Sequence, residues 1–252
     1  MLRDLDKAIE SYSQALCLEQ CNAIRATFPR EIRDMIWTEL CTYRFTLATT
    51  EECDEHCKHA VEPHKTTFKN MHWLYPEFVG EETAAEIVEV FYKSNSFKVK
   101  TCTDLQKFLT DKSLGGGIVP ADCVKSLNLG IYDSDFSDCD QPDWVPMSRE
   151  TDEQYILKDL QHILQSLHSV RYAEGFKLTI VLYASIHAAK TAKMIGAMHP
   201  ILEELCEKGF KLKVQMVRLR GYPAHSLDVT YIFKQKNWEE ALKRYSSAVS
   251  SK

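Results

Sequence analysis

Leu178-Thr179-Ile180-Val181-Leu182-Tyr183-Ala184 is a nearly unbroken run of apolar and β-favouring residues, which suits a central strand covered on both faces. Ahead of it, Thr151 sits three residues before Gln154 as in a capping box. Ile156, Leu157, Leu160, Ile163, Leu164 and Leu167 then make a helical stripe. After it, 188–208 reads as a helix interrupted or bent at Pro200 and ended by Gly209. Leu212, Val214 and Met216 alternate with Lys211, Lys213 and Gln215, and the phase switches at Val217 and Leu219 as a bulge would cause. A last strand over 227–233 and a closing helix over 238–249 follow. Strands alternating with helices predict an α/β fold, with α+β as the alternative, in which N-terminal helices lead into helices and strands on a mixed, largely parallel sheet.

Toward the amino end, Leu127, Leu129 and Ile131 alternate with Ser126, Asn128 and Gly130, predicting a strand over 123–132 with one buried face. Gly115-Gly116-Gly117 reads as a flexible turn before Pro120, 104–109 as a short helix capped through Thr103 or Asp104, and 96–101 as a short strand. Gly80-Glu81-Glu82 opens a helix that carries Ala84, Ile87, Val88, Phe91 and Tyr92 at helical spacing and stops at Asn95. A strand over 43–49 precedes a polar loop over 51–72. Leu5, Ala8, Ile9, Tyr12, Ala15 and Leu16 recur at three and four, so a first helix is expected to bury that stripe. Pro29 then starts a helix whose stripe is Ile32, Met35, Ile36 and Leu40, with Arg30, Arg33 and Asp34 in water. These elements are expected to form one domain over 1–252, made of a helical part (1–42), a first α/β half (43–132), an acidic linker (133–152) and a second α/β half (153–252).

With 252 residues and 44% hydrophobic content the chain can bury a substantial core. Its apolar runs fall short of the roughly 20 residues a bilayer span needs, and Met1 to Lys7 lacks a signal-peptide core, so a cytoplasmic or nuclear protein is expected. Nine cysteines, an odd count, with Cys17, Cys41, Cys123 and Cys206 in apolar periodic segments, fit reduced and mostly buried thiols. The net charge of −5 is local in origin, because 133–153 holds eight acids against Arg149. Nothing in this balance points to a nucleic-acid groove.

Candidate chemistry is sparse. Cys53, His56, Cys57, His59 and His64 are donors of the type zinc prefers, yet Cys57 and His59 stand too close for easy tetrahedral geometry. The set Cys53, Cys57, His59 and His64 therefore stays a minor metal candidate, and a solvated loop is the preferred reading. His187 and His199 are read as packed or half-exposed helix residues, the glycines at 115–117 lack the Lys-Ser/Thr of a phosphate loop, and Asp133, Asp135, Asp138 and Asp140 lack the glycine and closing glutamate of a calcium loop. The two end helices have a tetratricopeptide look without the partner helices that repeat requires.

Phe28-Pro29-Arg30-Glu31-Ile32-Arg33-Asp34-Met35-Ile36-Trp37 resembles the Leu-Pro-x-Glu-Ile-x-x-x-Ile opening of F-box and F-box-like motifs, with Phe28 in place of leucine. Phe78-Val79-Gly80 running to Phe97, and 117–127, are similar to segments of uncharacterised fungal F-box-like proteins, so the wider likeness spans 28–131. In F-box proteins this helix docks on the small adaptor subunit of cullin-type ubiquitin ligases while the rest of the chain gathers substrate. The resemblance implies Phe28, Pro29, Ile32, Ile36, Trp37 and Leu40 as partner-binding residues. It departs from the family where 43–49 reads as strand and a second F-box helix would follow. The expectation is a non-enzymatic protein-interaction scaffold with no cofactor, no nucleic-acid partner and no membrane. The competing class is a small metal-dependent or cysteine hydrolase using the 53–64 segment.

Overall fold

The computed structural model describes residues 2–43, 46–48, 71–100, 102–132, 160–161, 164–184, 188–218, 226–230 and 240. The Cys53–His64 segment, the acidic linker, His187, most of the helix expected over 151–167 and the closing helix lie outside them, apart from single positions. The fold is α/β, with helices and a mixed, largely parallel sheet, and its contacts gather into two compact units.

Unit 1 comprises 1–97 and 110–125. It contains α1 (Leu2–Thr27), α2 (Arg30–Cys41), β1 (Leu47–Ala48), a 3₁₀ turn (His72–Leu74), α3 (Pro76–Val79), α4 (Glu81–Ser94) and α6 (Pro120–Cys123). α4 is its centre. Gly80 precedes it, Glu81 and Glu82 sit at the positive end of its dipole, and Ala84, Ile87, Val88, Phe91 and Tyr92 are all buried, as the spacing predicts. Asn95 ends it by a specific device. Its amide donates to the Phe91 and Cys41 carbonyls, both at 2.8 Å, and its Oδ1 accepts the Tyr43 N–H at 2.8 Å. One buried side chain thus closes α4 and also fixes the exit of α2. That capture of Tyr43 explains a departure from the expected strand over 43–49: the described strand residues are Leu47 and Ala48, and the Leu47 N–H bonds the Ser96 carbonyl at 2.8 Å.

The glycines at 115–117, expected as a turn, form a 3₁₀ turn. Gly116 takes φ 75°, and a Cβ there would stand 2.5 Å from the Ala85 Cβ, so the residue is glycine because α4 lies against it.

α1 contradicts the expectation drawn from its stripe. Leu5, Ala8, Ile9, Tyr12, Ala15 and Leu16 all face water, and the helix packs through the opposite side, where Cys21 is buried and Cys17, Ile24 and Arg25 are half-buried. Periodicity marks an apolar face without saying what covers it.

Unit 2 comprises 98–109 and 126–252. It holds Lys98 and Val99 of β2 (Phe97–Val99), nearly all of α5 (Cys102–Thr110), β3 (Ser126–Tyr132), β4 (Lys177–Ala184), α7 (Ala188–Glu207), β5 (Lys211–Arg218) and β6 (Ser226–Asp228). α5 begins at Cys102, two residues before the expected start. The strands lie in the order β2-β3-β4-β5-β6; β3, β4 and β5 are parallel, and β6 is antiparallel to β5. β4 is central as its composition predicts. Leu178, Ile180 and Leu182 are buried on one face, while Thr179, Val181 and Tyr183 are half-covered on the other.

β4, α7 and β5 form a βαβ unit. α7 runs through Pro200 without interruption; the ring sits in water, and the residue four before it is Gly196. It ends in a Schellman turn in which Phe210 N–H bonds the Leu205 carbonyl at 3.1 Å and Gly209 N–H the Cys206 carbonyl at 3.0 Å, with Gly209 at φ 96°. Among the described residues β5 has no bulge, because the register with β4 is continuous from Lys211 to Arg218 and Val217 occupies the half-buried face; Leu219 lies outside them. Of the strand expected over 227–233, the described strand is Ser226–Asp228; Val229 N–H still bonds the Val214 carbonyl at 2.9 Å, the Asp228 carboxylate accepts the Thr230 N–H at 2.9 Å, and 231–233 lie outside the described residues.

Candidate functional site

α2 has two faces of opposite character. At 3.6 residues per turn, Ile32 and Met35 follow Phe28 along one side, and Arg30, Arg33, Trp37 and Cys41 line the other. The second side is bound to α4. Trp37, 2% exposed, donates its indole N–H to Glu86 Oε2 at 3.4 Å. Arg33 makes a two-pronged contact with the same carboxylate, Nε to Oε2 at 2.9 Å and Nη2 to Oε1 at 2.6 Å. Its remaining nitrogen donates to the Phe28 carbonyl at 2.8 Å, which ties the turn before α2 to the cluster. Arg30 bridges Asp34 at 2.6 Å and Glu89 at 3.0 Å, and Lys93 pairs with Glu89 from the next turn of α4.

The charges in this cluster are fixed by their partners. Burial pushes the Glu86 carboxyl up, but the Arg33 and Trp37 hydrogen bonds and the Arg30 charge outweigh it and hold the group below the usual carboxylate range. Glu89 is held low chiefly by its bond from Lys93, with Arg30 adding to it. Burial alone pushes the Cys41 thiol up to about 12, so it stays protonated and is no nucleophile.

The other side of α2 is open. Ile32 is 39% and Met35 65% exposed, and Phe28 and Pro29 are exposed as well; Leu40, also exposed, projects from the flank of α2 beside Arg33. On α1, which touches α2, Leu5, Ile9, Tyr12 and Leu16 repeat at four, three and four on an exposed face, with Tyr12 at 70%. Scattered apolar side chains on a surface need no explanation; two successive helices with exposed apolar stripes at helical spacing do.

Family models, curated proteins and solved structures offer no match to this chain.

Of the residues expected to bind a partner, Phe28, Pro29, Ile32 and Leu40 face water and Ile36 is half-buried. Trp37 is the correction: sealed against Glu86, it anchors α2 and cannot meet a partner unless the helix lifts away. Arg30, Arg33 and Asp34, expected to be wet, are half-buried in the ionic cluster. Met35 was placed on the stripe but not among the expected partner-binding residues, although it is the most exposed of the stripe, and the role of Glu86 and Glu89 was missed. The acids and Lys93 repeat at three and four on the side of α4 away from its apolar stripe, a pattern normally left to water.

The metal candidates Cys53, Cys57, His59 and His64 lie outside the described residues, and among those described no cluster of three or more His, Cys, Asp or Glu residues could hold a metal. Cys21, Cys41 and Cys123 are buried, Cys17 is half-buried and Cys206 is exposed. Among the described residues no helix is long and apolar enough to cross a membrane.

Proposed function

We propose that unit 1 is a protein-docking module, non-enzymatic in itself, in which α2 presents Phe28, Ile32 and Met35 to a partner while its inner face is clamped to α4. The partner is the adaptor subunit of a cullin-type ubiquitin ligase, by the likeness of 28–37 to an F-box opening. The observation that carries the reading is the exposure of the α2 stripe on a helix whose other side is locked by Glu86. An apolar stripe on a rigid, preorganised helix loses little freedom on binding, which favours affinity.

The test is capture of purified full-length chain by the adaptor subunit, comparing wild type with Ile32→Asp. Ile32 is exposed, so the variant keeps the fold and its circular dichroism. Wild type is expected to bind, and the buried aspartate to weaken binding about 100-fold, equivalent to roughly 2.8 kcal/mol. Absence of wild-type binding removes this partner, and undiminished binding of Ile32→Asp removes the stripe as the docking face.

A further inference from the structure

Unit 1 contains an apolar pocket of about 170 Å³ among α1, α2, α3, α4 and the 3₁₀ turn, and nothing in the docking reading uses it. Trp37 and Trp73 supply indole surface to its wall, Cys17, Cys21 and Cys41 supply three sulfurs, and Gln20 is the one amide among the described lining side chains. We propose that this pocket binds a small uncharged aromatic molecule, of the size of one six-membered ring or a compact fused pair.

Volume sets the size class, since an apolar cavity of about 150 Å³ stays dry and takes up benzene. The lining sets the chemistry. Aromatic faces attract ring edges, and sulfur packs favourably about 5 Å from a ring, whereas neither offers a saturated hydrocarbon the same contact. Burial pushes the Cys41 thiol up to about 12 and, together with neighbouring Cys17, raises that of Cys21, so these two inner thiols put no negative charge against an aromatic face. Among the described residues that line it none is charged, which disfavours carboxylates, phosphates and ammonium ligands. The pocket is also open along one side, where Gln20 and Leu40 are exposed and Cys17 is half-buried, so entry needs no unfolding.

The test uses the full-length chain carrying Trp144→Phe and Trp238→Phe, which leaves Trp37 and Trp73 of the four tryptophans as reporters. Benzene is expected to shift their emission saturably, with half-saturation at about 1 mM, and to raise the unfolding temperature. Cyclohexane, similar in size but without a ring face, is expected to require at least about five-fold more. Cys17→Phe, which fills the pocket from its rim, is expected to abolish the response while circular dichroism is unchanged. Should that variant fail to fold, the same point is read on unsubstituted cysteine: benzene is expected to slow iodoacetamide alkylation of Cys17. No saturable emission shift, a full response in folded Cys17→Phe, or alkylation of Cys17 indifferent to benzene would each overturn the site. Equal binding of cyclohexane would overturn the aromatic assignment.

Discussion

Glu86→Ala is expected to lower the unfolding free energy of unit 1 by about 3 kcal/mol, the lower part of the range for breaking a buried ion pair. Two effects set that size. The substitution leaves Arg33, Trp37 and Arg30 without the carboxylate all three approach, and Arg33 recovers part of the loss because it keeps the Phe28 carbonyl and a little water. Urea unfolding followed by tryptophan emission measures it, as a lower midpoint at unchanged slope. Glu89→Ala, on a more exposed carboxylate, is expected to cost less than about 1 kcal/mol and serves as the comparison. The same cluster gives a sign to the pH dependence. Glu86 and Glu89 both have folded pKa values below their ordinary ones, so the stabilisation is fully present above the unfolded value of about 4.3 and is lost as pH falls through the folded values. Wild type is therefore expected to weaken steadily below about pH 5, and Glu86→Ala to show a shallower slope over the same window.

The larger loss is expected from Phe91→Ala, at about 4 kcal/mol. Phe91 has no exposed surface, and among the described residues its ring meets Trp73 at 5.7 Å, Tyr92 at 5.6 Å and Phe97 at 5.4 Å, the Trp73 and Phe97 contacts being edge-on. Truncation removes the transfer energy of a full ring and leaves a cavity bordered by rigid aromatic groups that collapse poorly, in addition to the edge-to-face terms. Because the Phe91 carbonyl also accepts from Asn95, any shift of the backbone there loosens the exit of α2. Urea unfolding reports the loss, and Phe91→Leu, which keeps most of the volume, is expected to recover more than half of it.

The parallel sheet was legible because its strands advertise themselves. Leu178 to Ala184 is too continuously apolar for a surface strand, and Leu127, Leu129 and Ile131 alternate cleanly. α4 was legible for the same reason, since its stripe, its early acids and Asn95 all agree. What failed was what depends on neighbours. Val217 looked like a phase switch and is a regular strand residue, because both faces of β5 are at least partly covered. The α1 stripe had every mark of a core face and is exposed, since periodicity measures amphipathicity and not contact. Trp37 could not be assigned to the surface or the interior from spacing alone, because it stands on the far side of α2 from Ile32 beside two arginines that looked solvated. Their common partner, Glu86, lies 49 residues away from Trp37.

Hydroxyl-radical footprinting of the free full-length chain, read residue by residue through Met35 and Trp37, bears most directly on the two-faced α2 helix. Met35 should be oxidised at nearly the rate found in the urea-unfolded chain, while Trp37 two residues on should be protected. A Met35 as protected as Trp37, or a Trp37 as reactive as in the unfolded chain, would contradict the placement of an open apolar stripe on a helix clamped through its other side.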